Sequence, residues 1–120
     1  MPQKGKDVLE KWKRGGRLTD AMLDSVARDF EGLLRVEYTL VEEFAAAGRP
    51  DDATSQLLQT NAFASAVAQR RPSLVTKLGP VAADLKAAVD ALAKALGAAH
   101  FSITLGFPGG ISVSLTFDLP

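Results

Sequence analysis

The chain contains no cysteine, a single histidine, a single tyrosine and a single tryptophan among its 120 residues. Without cysteine there are no disulfides, thiolate metal sites or cysteine nucleophiles. No apolar run approaches the roughly eighteen residues that a membrane-spanning helix needs, and the basic N-terminus is not followed by the apolar core of a signal peptide. From these absences we expect a soluble, cytoplasmic protein.

A net charge is also lacking, because 14 basic residues balance 14 acidic ones. This balance argues against a partner that is attracted by overall charge, such as nucleic acid or an anionic membrane. The charges are nevertheless unevenly placed. Residues 1–17 carry six basic and two acidic residues, whereas residues 18–48 carry seven acidic and two basic ones. The two segments can therefore attract each other.

Motifs for bound cofactors are absent as well. Neither a phosphate-binding glycine loop nor a dinucleotide fingerprint is present, and zinc, calcium and haem motifs are missing. We expect no cofactor and no metal. Glu37 interrupts an apolar helical seam, but a carboxylate metal bundle also needs Glu-x-x-His motifs, which the sequence does not contain. We expect Glu37 to reach solvent or to pair with an arginine.

Helical periodicity dominates the first hundred residues. Apolar residues recur at steps of three and four, with capping residues, glycines and prolines between the segments. The pattern predicts helices over about 6–14, 19–47, 52–71 and 80–96. Trp12 shares a helix face with Val8 and Leu9, which favours docking on the protein's own core.

The last twenty residues change to a period of two, which is typical of strands. The pattern predicts strands over about 100–107 and 111–119, joined by a turn at Pro108-Gly109-Gly110 with Phe107 facing Ile111. The predicted fold is therefore a single α+β domain over 1–120, mainly α: an antiparallel bundle of three to four helices with a C-terminal two-stranded antiparallel β-hairpin.

In that register His100 lies across from Asp118. A His–Asp couple orients an imidazole in many hydrolases, but the neighbouring serines and threonines are ordinary strand residues with no oxyanion loop beside them. We interpret the pair as a cross-strand polar contact and predict no catalytic residue. The uncharged residues of the outer face and edges are the candidate interaction residues, because nothing there discourages edge pairing: Ser102, Thr104, Ser112, Ser114 and Thr116.

These observations favour a non-enzymatic interaction or assembly module, an adaptor whose partner is a protein, a second copy included. One alternative is a membrane-active protein that inserts its hairpin on oligomerisation, although the strands are short for spanning a bilayer. Another is a small metal- or ligand-binding bundle that uses Glu37, Glu42 or the His100–Asp118 pair. No family motif is present, and a fold class by itself does not name a function.

Overall fold

A computed structural model describes residues 3–97, 100–106 and 112–118, with side chains over residues 5–97. The helical body contains five α-helices: α1 (Gln3–Lys13), α2 (Asp20–Ala27), α3 (Phe30–Ala46), α4 (Pro50–Arg70) and α5 (Leu78–Leu96). A 3-10 helix, Pro72–Lys77, joins α4 to α5. No helix in the described part of the chain is both long and apolar enough to cross a membrane.

The fold class differs from the expectation. We expected an α+β domain of three to four helices that includes a β-hairpin, and this is wrong for the body of the molecule. Residues 3–97 contain five α-helices, no strand and no β-hairpin. The body is therefore an all-α bundle. The periodicity found the helical segments, but it undercounted them because one break leaves the apolar pattern intact.

Two short stretches of extended backbone follow the bundle, β1 (His100–Gly106) and β2 (Ser112–Asp118). They pair antiparallel, with His100 opposite Asp118 and Gly106 opposite Ser112. The expected turn at 108–110 and the expected pairing of Phe107 with Ile111 lie outside the described residues.

The undetected break separates α2 from α3 at Asp29. Thr19 caps α2 by accepting a hydrogen bond from the Met22 amide at 3.2 Å, and Asp29 leaves helical geometry with φ −146° and ψ 48°. A Cβ at Gly32 would collide with the Asp29 carboxylate unless that exposed side chain turned away. Val26 and Phe30, on either side of the break, are both buried. The spacing of the apolar residues therefore continues unchanged across the break.

Helix α3 is the centre of the bundle and packs against both α4 and α5. Helix α4 returns antiparallel to α3, with Pro50 at its start, where the missing amide hydrogen costs nothing. Helix α5 runs parallel to α3, because Arg35 pairs with Asp84 near the start of both helices and Ala45 shares a groove with Lys94 near the end of both. Gly97 ends α5 in a left-handed conformation with φ 63°.

Helix α1 packs on the other side of α3 and α4. Val8 and Leu9 are buried, and the Trp12 ring meets the edge of Phe63 with their centroids 5.4 Å apart. The expected docking of Trp12 on the core is confirmed. This placement brings the basic α1 over the polar positions of α3.

Candidate functional site

Glu37 is the one fully buried charged side chain among the described residues, with 0 % of its surface exposed. Its position follows from the helical period of α3, because Leu33, Leu34 and Val41 share its face and are buried in the core. A lone carboxylate at such a position would be very costly. The site is therefore defined by the groups that compensate it.

Two lysines of α1 compensate the Glu37 carboxylate. Lys6 Nζ lies 2.8 Å from Oε2, and Lys13 Nζ lies 3.7 Å from Oε1. The expectation that Glu37 reaches solvent or pairs with an arginine is wrong. Packing decides this outcome, because α1 covers the face of α3 on which Glu37 lies. Both lysines also lie within ion-pair distance of Glu10, so the charges of two lysines balance those of two carboxylates.

The fourth helix completes the coordination of Glu37. Gln56 Nε2 donates to Glu37 Oε1 at 3.1 Å and to the Glu37 carbonyl at 3.2 Å. The Thr60 hydroxyl donates to the Gln56 carbonyl at 2.8 Å, which fixes this pair of α4 residues relative to each other. We call Lys6, Lys13, Glu37 and Gln56 the buried ion cluster. Because its carboxylate is enclosed and fully paired, the cluster is suited to holding α1 in register rather than to proton transfer.

A second polar contact between α3 and α4 is neutral. Tyr38, the only tyrosine of the chain, donates its hydroxyl proton to Asn61 Oδ1 at 2.5 Å. Burial raises the pKa of Tyr38 well above its usual value of 10.0, because the charged phenolate would lose its hydration. Asn61 Nδ2 has no hydrogen-bond partner within the described part of the chain. This pair orders the helix interface without carrying charge.

An open groove of about 700 Å³ lies where the α1–α2 connection meets the C-terminal half of α4. We call it the basic groove; its lining includes Trp12, Arg17, Leu18, Asp20, Gln69 and Arg70. Arg70 donates to the Leu18 carbonyl at 2.8 Å and lies 3.4 Å from Asp20. Arg71 pairs with Asp24 at 2.8 Å. These two arginines fasten the start of α2 to the end of α4.

The C-terminal residues selected from the sequence are placed only by their backbone. Ser102 lies opposite Thr116, Thr104 lies opposite Ser114, and His100 lies opposite Asp118. Their side chains are outside the described residues, so their role in interaction stays a prediction. Among the helical candidates, Glu42 is not part of the buried ion cluster and instead lines a shallow groove of about 330 Å³ with Ala45 and Lys94. The described residues hold no group of three metal-ligating side chains.

Sequence reasoning missed the buried ion cluster, although a signal was present. Lys6 and Lys13 are seven residues apart, which puts them on one face of a helix together with the buried Leu9. Two cations flanking an apolar residue on one face indicate a helix that covers a buried anion. Only the packing of α1 on α3 and α4 shows that this anion is Glu37.

Comparison of the chain with family models, with curated protein sequences and with solved structures finds no significant match. The function must therefore be argued from the surface and the charges of the molecule itself.

Proposed function

We propose that the protein is a non-enzymatic interaction or assembly module whose contact surface is the basic groove. The observation that carries this proposal is a group of three exposed cations without ion-pair partners: Arg17, which lines the groove, and Lys11 and Arg14, which precede it in the chain. No salt bridge reaches these three side chains within the described part of the chain.

The position of these cations makes them distinctive, because the other exposed cations without an ion pair within the described residues do not line the groove: Arg28, Lys77, Lys86 and Lys94. Lys6 and Lys13 are paired with Glu37 and Glu10, and Arg70 and Arg71 are paired with the acidic residues of α2. Three like charges within seven residues repel one another, and an acidic partner surface would relieve that repulsion. Electrostatic complementarity of this kind gives specificity and fast association in protein complexes.

The shape and lining of the groove also favour a protein partner. Trp12 and Leu18 supply apolar area between charged rims, and both are half-buried rather than enclosed. A large aromatic residue next to arginine is the composition typical of the energetically important centre of protein interfaces. We therefore expect the partner to present acidic residues around a small apolar patch.

The test is affinity capture from a lysate of the native source with three full-length baits. These are the wild type, Arg14→Glu/Arg17→Glu, and the control Lys77→Glu/Lys86→Glu, which makes the same change of charge at exposed lysines outside the groove lining. We expect the wild-type and control baits to capture the same reproducible set of proteins. The groove variant should capture at least about fivefold less of each of them. Equal capture by all three baits would overturn the proposal, and so would a lack of capture by the wild type.

A further inference from the structure

The molecule carries a second charged surface, at the end opposite the basic groove. Glu42 and Glu43 lie in the last turns of α3, and Asp51 lies in the first turn of α4. None of these three carboxylates has an ion-pair partner within the described residues. We call Glu42, Glu43 and Asp51 the acidic end.

The distance between the two surfaces follows from the length of α4, because one residue of this helix lies at each surface. Arg70 in the basic groove and Asp51 at the acidic end are nineteen residues apart on one continuous helix, which corresponds to about 28 Å at 1.5 Å per residue. The Debye length at physiological ionic strength is about 8 Å, so the two surfaces cannot compensate each other within one chain. The molecule is neutral as a whole and has a basic and an acidic end.

We propose that the acidic end of one copy docks in the basic groove of a second copy, so that the chain assembles head to tail. This inference rests on the proposed function and names its partner. A second copy is the partner that the charges favour, because the chain itself supplies the acidic surface that the groove lacks. The basic end has three unpaired cations. At the other end the three unpaired carboxylates outnumber the unpaired Lys94, which lines the shallow groove together with Glu42.

The apolar features of the two ends agree with this docking. Leu96 closes α5 beside the acidic end and is one of the large apolar side chains left exposed, at 41 %. The shallow groove next to it is lined mainly by alanines of α3 and α5. Trp12 and Leu18 in the basic groove are the apolar surface on which such an end can pack.

The symmetry of such a contact determines how it is tested. A contact between two different surfaces leaves one surface of each kind free at the ends of an open assembly. It therefore gives open chains, or rings where the rotation closes, rather than two-fold symmetric dimers. Reversing the charge of one surface blocks growth in one direction only. Two variants that are blocked on different surfaces can therefore still associate with each other.

The experiment measures sedimentation equilibrium of full-length proteins at about 50 mM salt, where exposed charges are weakly screened. The wild type should show a weight-average mass that rises with concentration above the 12.7 kDa of one chain. Glu42→Lys/Glu43→Lys and Arg14→Glu/Arg17→Glu should each remain monomeric alone. An equimolar mixture of the two should associate again, because the native groove of one variant meets the native acidic end of the other and the two reversed surfaces are also of opposite charge. The association should weaken at least about tenfold at 0.5 M salt.

A strictly monomeric wild type, or a mixture of the two variants that is no heavier than its parts, would overturn head-to-tail docking. So would two variants that each associate as the wild type does. The control Lys77→Glu/Lys86→Glu should keep wild-type association, and losing it would show that total charge rather than the groove governs the effect. If docking fails while the groove-dependent capture succeeds, the proposed function stands with another acidic partner; if both fail, both proposals are wrong.

Discussion

The buried ion cluster and the basic groove use the same kinds of residues for different purposes. Under α1, Lys6 and Lys13 face a carboxylate that has no contact with solvent. A few residues further along the chain, Arg14 and Arg17 are exposed and have no ion pair within the described part of the chain. The first region holds the fold together, whereas the second is the surface that we propose for a partner.

The difference shows that burial, more than residue type, decides what a charge contributes. An exposed ion pair contributes about 0–1 kcal/mol, because water and salt screen it and the side chains lose freedom in forming it. Removing one side of a buried pair costs about 3–5 kcal/mol, because the charge that remains has lost both its partner and its hydration. The four predictions below test this contrast, from the largest expected effect to the smallest.

The largest loss is expected from Lys6→Met/Lys13→Met, which leaves the Glu37 carboxylate buried without a cation. We expect the free energy of unfolding at pH 7 to fall by about 3 kcal/mol, at the lower end of the range for buried pairs, because both lysine side chains are partly exposed. Urea unfolding followed by Trp12 fluorescence measures the change.

The matched variant for this prediction is Glu37→Leu, which removes the buried charge instead of its partners. Gln56 keeps the Glu37 backbone carbonyl as an acceptor, and both lysines can reach Glu10 or solvent. Stability should stay within about 1.5 kcal/mol of the wild type. If Glu37→Leu is as damaging as the double lysine variant, the cluster acts through packing and the contrast between buried and exposed charge fails.

Tyr38 gives the second prediction, because its buried hydroxyl has a raised pKa. Near pH 10 the unfolded chain loses the tyrosine proton, whereas the folded chain keeps it. The free energy of unfolding is therefore unaffected by Tyr38 below pH 10 and falls as the pH rises above 10. The ultraviolet absorbance of tyrosinate reports this one residue, because the chain has a single tyrosine. We expect its rise to coincide with unfolding seen by circular dichroism.

Tyr38→Phe is the control for the alkaline effect. It should cost about 1–2 kcal/mol at pH 7, because Asn61 loses its hydrogen bond in a buried position. It should also remove the Tyr38 contribution to the loss of stability above pH 10. A tyrosine that ionises in the folded protein at its ordinary pKa would contradict the prediction.

The third prediction compares two glycines. A side chain at Gly16 would meet a backbone atom, whereas one at Gly32 would meet the end of a side chain that can move. A Cβ at Gly16 would stand 2.8 Å from the backbone carbonyl oxygen of Lys11, which cannot move without disturbing the end of α1. At Gly32 the neighbour is the exposed carboxylate of Asp29, which can rotate away. We expect Gly16→Ala to cost about 1 kcal/mol and Gly32→Ala to be neutral or slightly stabilising, since alanine favours the helix.

Thermal and urea unfolding of both glycine variants would measure this difference. Equal losses from the two substitutions would mean that the Asp29 carboxylate is as fixed as the Lys11 carbonyl. The gap between α2 and α3 would then depend on the absence of a side chain at Gly32.

The smallest effect on stability is expected from Arg14→Glu/Arg17→Glu. Because neither arginine has an ion pair within the described residues, the free energy of unfolding should change by less than about 0.5 kcal/mol. The same variant is the one expected to lose association, which separates folding from binding. A loss above about 1.5 kcal/mol would place these arginines among the structural charges.

Some features of the bundle could be read from residue order. The steps of three and four from Leu23 to Val41 mark a face that is buried, and Gly48 and Pro50 mark a boundary that the structure places between α3 and α4. The break at Asp29 could not be read in this way, because buried residues continue on both sides of it. It lies in the non-helical backbone of Asp29, with φ −146° and ψ 48°, which has no periodic signature in the sequence.

The charged surfaces were also predictable from the sequence only in part. The excess of basic residues over 1–17 is visible in the sequence, and so is the excess of acidic residues over 18–48. Their mutual attraction, which these counts predict, occurs where Lys6 and Lys13 meet Glu37. The counts do not show which cations form ion pairs in this contact. They do not distinguish Lys6 and Lys13 from Lys11, Arg14 and Arg17, which have no ion pair within the described residues.

The sequence by itself determined which segments are helical and which of their faces are apolar, because helical period and capping act between residues that are close along the chain. The tertiary structure alone decided that Glu37 is buried beneath α1 and that the basic groove and the acidic end lie at opposite ends of α4. Those outcomes depend on which helices come together and on the direction in which they run. Helix packing sets both, through contacts between residues that are distant in the chain.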